Sequence, residues 1–191
     1  AGTAGITISG NIANGSGTVA VAQFSTGSVL TLSGSNTYSG ATMINAGTLR
    51  LQGLAFSATN RVYSIASGAV LNLDGNTAVA TGTTIINGAG TLRITGGIFN
   101  NGVGPTRMVA MSLGSGGLIE VQAGATLFNG GWQAINWVTN RASLTVDGLL
   151  DVWDGQTIIV DALNGSGTID KGTSLGGTVT LNVGTNNGSG T

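Results

Sequence analysis

Residues 27–51 read GSVLTLSGSNTYSGATMINAGTLRL. Short apolar strands alternate with polar positions, small residues separate them, and variants of the pattern recur along the chain. A strand with one buried face alternates with a period of two. A unit that alternates, turns and recurs cannot bury its apolar face alone, so it must stack on its neighbours. The stretch therefore predicts an all-β solenoid.

Working outward from it, the same apolar–x–apolar triplet appears shortly after glycines at Val19/Val21, Leu30/Leu32, Leu49/Leu51, Leu71/Leu73, Leu92/Ile94 and Ile119/Val121. It returns at Leu144/Val146, Leu150/Val152 and Val179/Leu181. The centres at 31, 50, 72, 93, 120 and 145 are 19, 22, 21, 27 and 25 residues apart. A period near 20 suits one coil of a parallel β-helix, and counting every triplet as a coil predicts about nine or ten coils. Direct self-similarity agrees: Ile44–Leu51 (INAGTLRL) resembles Ile86–Ile94 (INGAGTLRI), two coils away. NGSGT occurs at 14–18, 164–168 and 187–191, as if the sequence stopped while another repeat was beginning.

Composition narrows the alternatives. The 191 residues include 35 glycines, one proline (Pro105) and only 7% charged side chains. Glycine that frequent opposes helix, at roughly 1 kcal/mol per position against alanine. It lacks the three-residue period of collagen, and the chain is too apolar for disorder driven by charge. Hairpin signals are sparse, which favours parallel stacking over a meander. The whole of 1–191 is expected to form a single solenoid, less regular and loop-bearing over 96–141, where Pro105, the longer spacings and Phe128, Trp132 and Trp137 fall.

In every triplet the middle residue should face solvent: Arg50, Asn72, Arg93, Glu120, Thr145, Asp151 and Thr180. Coils stacked in order would bring Arg93 beside Glu120. The triplet Ile169–Asp170–Lys171 breaks the rule, so either its strand ends at Ile169 or Lys171 reaches out of the coil.

The net charge is −1 and the six basic residues are scattered, so no nucleic-acid face can be assembled. No apolar run reaches the ~20 residues of a membrane-spanning helix. The start, AGTAGITISG, has neither the positive region nor the apolar block of a signal peptide, as expected of a mature product or a fragment.

The run from Ile6 to Leu51 resembles the passenger-associated repeat of bacterial autotransporters, also called the autotransporter-associated β-strand repeat. The residues that carry the likeness are LTLSG (30–34), NTYSG (36–40), the Thr-bearing strand 41–44 and NAGTLRL (45–51), with NGSGT elements that look like those preceding such a block. The resemblance implies a right-handed parallel β-helix, secreted across a Gram-negative outer membrane as part of a larger protein with a C-terminal barrel. It implies help in passenger folding and display, and no catalytic residue. The chain itself contains no barrel-like strand series.

Chemistry is sparse. Cysteine and histidine are absent, which removes disulfides, thiolate metal sites and histidine-activated nucleophiles. Asp147, Asp151, Asp154 and Asp161 cluster in sequence, which suits an acid/base pair or a calcium site, against the plainer reading of solvated turn aspartates. Tandem GGxGxD, GxGxxG and P-loop patterns are missing. Trp132 and Trp153 lie about one coil apart and, with Trp137, form a candidate glycan-binding platform; an internal aromatic stack is the plainer alternative. The expectation is a non-enzymatic, cofactor-free structural or adhesin-type passenger segment, extracellular or on a bacterial surface. Its expected partners are neighbouring repeats or other copies stacked end to end, with glycans or a host surface as further candidates. The rival is a β-helical polysaccharide lyase or hydrolase, or a glycan-binding module.

Overall fold

A computed structural model describes residues 5–53, 61–75, 82–100, 107–129, 135–152, 157–170 and 178–187. All regular structure in them is strand. In chain order these are β1 (Gly5–Ile8), β2 (Val21–Gln23), β3 (Val29–Leu32), β4 (Thr42–Ile44), β5 (Thr48–Gln52) and β6 (Val62–Ile65). There follow β7 (Val70–Asp74), β8 (Gly82–Gly88), β9 (Thr91–Phe99), β10 (Arg107–Leu113), β11 (Leu118–Val121) and β12 (Ala125–Phe128). The remaining strands are β13 (Ile135–Asn136), β14 (Ser143–Val146), β15 (Leu149–Asp151), β16 (Thr157–Val160), β17 (Leu163–Asn164), β18 (Thr168–Asp170) and β19 (Thr180–Val183).

Every strand pair is parallel, and the order is that of a solenoid. One face runs β1-β3-β5-β7-β9-β11-β14-β17 and a second runs β2-β4-β6-β8-β10-β13. Successive strands thus alternate between faces, and each pairs with the strand one turn later. A third face begins at the far half of β9, which crosses a corner at Gly96 and Gly97 and then pairs with β12, followed by β15 and β18. The strands β16 and β19 pair with each other.

The alternation predicted from sequence is the register of the first face. Leu30, Leu49, Leu71, Leu92, Ile119 and Leu144 sit directly opposite one another from turn to turn. So do Leu32, Leu51, Leu73, Ile94, Val121 and Val146. Apart from the half-buried Leu30, these two columns are buried and form the spine of one continuous core. Between them the expected outward residues Arg50, Asn72, Arg93, Glu120 and Thr145 form a third column, half-buried on the outer surface.

The coil count is lower than the spacing predicts. The solenoid makes about six turns instead of nine or ten, because only six of the nine triplets lie on the first face. Val21 belongs to the second face, Leu150 to the third, and Leu181 to β19. All faces bury alternate residues, so one turn can show the triplet more than once.

The corner from the second face to the first is tight, and is itself hydrogen-bonded from turn to turn. Thr48 N donates to Ser28 O, Val70 N to Gly47 O, Thr91 N to Ala69 O and Leu118 N to Gly90 O, at 2.9–3.1 Å. Gly47 has φ +64°, and a Cβ there would run into the carbonyl oxygens of Ser25 and Ser28 in the turn before. Glycine is required at this corner by both conformation and space.

Candidate functional site

Among the described residues, Asp147, Asp151 and Asp161 lie on separate parts of the coil. Asp147 sits between β14 and β15, where its Oδ1 accepts from Ser166 N (3.0 Å) and Ser166 Oγ (3.2 Å) of the next turn. Asp161 lies between β16 and β17 and accepts from Asn186 N at 2.9 Å. Both hold a corner of the following turn, as expected of turn aspartates. Asp151 ends β15 on the third face, opposite Asp170 of β18. Asp154 and Lys171 lie outside the described residues; β18 itself continues past Ile169 to Asp170. Among the described residues no group of three or more potential ligands is placed to hold a metal ion.

Of the three tryptophans, Trp132 and Trp153 lie outside the described residues. Trp137 is buried, and its indole N–H donates to Asn129 Oδ1 at 3.2 Å, which also accepts from Ile135 N. In this position the indole is core and presents no face to a sugar. Any glycan platform therefore rests on the other two.

The most connected constellation lies in the opening stretch, at the corner Asn36–Gly40 between β3 and β4. Asn36 is buried; its Oδ1 accepts from Ile12 N (2.8 Å) of the turn before, and its Nδ2 donates to Gly34 O (2.9 Å). Ser35 N donates to Asn11 Oδ1 (2.7 Å), and Ser39 N to Asn14 Oδ1 (3.2 Å). Tyr38 is buried with its hydroxyl 2.7 Å from that of Thr42. From the next turn Arg61 comes in from the other side. Its guanidinium carbon is 3.8 Å from the centre of the Tyr38 ring, and its Nη2 donates to Asn36 O at 2.8 Å.

Residues 27–51 match the family model described as Passenger-associated-transport-repeat. This segment is similar to a passenger-associated transport repeat. No curated protein and no solved structure matches the chain. The transport repeat supplies β3, β4 and β5 together with the Asn36–Gly40 corner, so it closes one turn and opens the next. Such a repeat within a β-solenoid fits an autotransporter passenger and points to a secreted or cell-surface protein.

Arg61 is 1% exposed, although the two ion pairs of the described residues, Arg50–Asp74 and Arg93–Glu120, belong to other arginines. It is flanked by Tyr38 and Tyr63, the chain's only two tyrosines. Burial, with a smaller contribution from Tyr38, pushes the Tyr63 phenol far above its ordinary value, while Arg61 pulls the other way. The sequence reading passed over this cluster, yet parity contains it. Tyr63 and Ile65 share the inward face of β6, and Arg61, just before its start, keeps the same parity and is buried with them.

Proposed function

We propose that this chain is a non-enzymatic β-solenoid segment of an autotransporter passenger, serving as a structural stalk or adhesin scaffold on the outside of a bacterial cell. The observation that carries the reading is the transport repeat at 27–51, built into the hydrogen-bonded ladder of the solenoid. The placement of Asp147 and Asp161 at two corners, each accepting from the following turn, and of Asp151 in β15 favours a structural role over a polysaccharide-cleaving one, because acid/base pairs and cation sites need convergent oxygens.

The partners we propose are further coils or other copies of the chain, meeting its ends. No nucleic-acid partner is proposed, because the charged side chains of the first face pair with one another instead of forming a basic patch. No helix of the described residues is long and apolar enough to cross a membrane.

The test is display. The encoding gene, expressed in a Gram-negative host with an epitope in the exposed turn 14–17, should label intact cells or appear in the medium. Labelling that needs permeabilised cells would sink the proposal.

A further inference from the structure

Hydrophobic alternation leaves one ambiguity in a parallel solenoid. A slip of one residue turns every core side chain outward and is excluded. A slip of two restores the alternation, so the apolar pattern alone tolerates it. The strand β6 is open to it. The connection from β5 spans 53–61, as long as the equivalent connection from β3 to β4 at 33–41, so connection length does not by itself pin the start of β6. Its partner β4 is three residues long, and the pairing rests on Thr42↔Tyr63, Met43↔Ser64 and Ile44↔Ile65.

The last residue of that connection is Arg61, a buried cation in an interior whose other buried polar side chains are uncharged. We propose that Arg61 is a register lock. Its guanidinium finds a π-face (Tyr38, 3.8 Å) and a carbonyl acceptor (Asn36 O, 2.8 Å) only when Tyr63 stands opposite Thr42. Displacement of β6 by two residues would move the charge about 6.6 Å along the strand, away from both groups and against aliphatic side chains. A single buried polar residue that fixes pairing, at the expense of stability, is the best-attested use of such groups. The lock works between the transport repeat and the turn that follows it. Its partner is the Asn36–Gly40 corner of the repeat. The inference stands whether or not the protein reaches a cell surface.

The chain has no cysteine, so paired cysteines report register cleanly. Met43→Cys with Ser64→Cys joins residues directly opposite, whereas Met43→Cys with Val62→Cys joins residues two out of register, about 8 Å apart at Cα and beyond disulfide reach. With Arg61 present, mild oxidation should crosslink the first pair only. In an Arg61→Met background the second pair should crosslink in at least a tenth of the molecules, with the thermal midpoint unchanged or raised. Tyr38→Leu, which leaves the cation without its ring, should lower the midpoint instead. Arg61→Met protein that crosslinks only in register, or that fails to fold, would overturn the lock in favour of a purely stabilising arginine.

Discussion

At the scale of single residues, the chain spends its few unusual side chains on the interior. Tyr63 is the clearest case. Its phenol is buried beside Arg61, and burial raises it far above the unperturbed value of 10.0. Because the folded-state value lies above the unfolded one, the stabilisation is complete below pH 10.0 and is lost as pH climbs beyond it. The unfolded chain then ionises Tyr63 and the folded chain does not. The slope approaches about 1.4 kcal/mol per pH unit. Tyr63→Phe should flatten this alkaline loss in urea unfolding followed from pH 8 to pH 12; an identical decline in both proteins would refute it. Gly47 makes a second residue-scale case. Alanine there meets both a positive φ and the Ser25 and Ser28 carbonyls, and should lose about 2–5 kcal/mol. Gly27, at φ +69° with open space around it, should lose only about 1–2 kcal/mol on the same change. Equal losses in thermal or denaturant unfolding would mean that close packing at the Gly47 corner contributes nothing.

At the scale of elements, the strand ladder explains what could be read from sequence. The order of coils on the first face follows from alternation, which predicts Arg93 beside Glu120, and its Nε donates to Glu120 Oε2 at 2.6 Å. The pairing of Arg50 was not legible. Asn72 stands directly opposite, and the partner is Asp74, one step along the same face, reached because a long side chain can lean diagonally. Arg61 stayed hidden for a different reason. Charge is ordinarily read as outward, and only the pairing of β6 with β4 shows that the inward position is occupied by arginine. Since Arg93 and Glu120 remain about a third and a quarter exposed, solvent screens them. A double-mutant cycle with Arg93→Ala and Glu120→Ala should give a coupling of only about 0.2–1 kcal/mol, shrinking in 1 M salt. Coupling above 2 kcal/mol that ignores salt would show that the ladder rests on its ion pairs more than on its aliphatic columns.

At the scale of the whole molecule, the inner strands of the solenoid are paired on both sides, and the outermost strands of the first face have one open edge among the described residues. Along the first face every inner strand pairs on both sides, while β1 pairs only with β3 and β17 only with β14. Apolar side chains stand exposed at each end: Ile6 and Ile8 on β1, Ile169 and Val183 near the other end. Open parallel edges of this kind invite another chain, and joining one end to the opposite end does not close into a ring, so assembly would continue as a filament. The 191-residue chain should therefore sediment as a concentration-dependent series of species, with rods in electron micrographs that lengthen in whole multiples of one solenoid. Replacing Ile6 and Ile8 by lysine puts charge at one open end, where the two side chains cap the columns that begin at Leu30 and Leu32, and should return the protein to single short rods of unchanged circular dichroism. Growth that persists in the lysine variant, or a wild-type chain that stays monomeric at every concentration, would place the assembly contacts elsewhere and leave the ends to be covered by further coils of the same polypeptide.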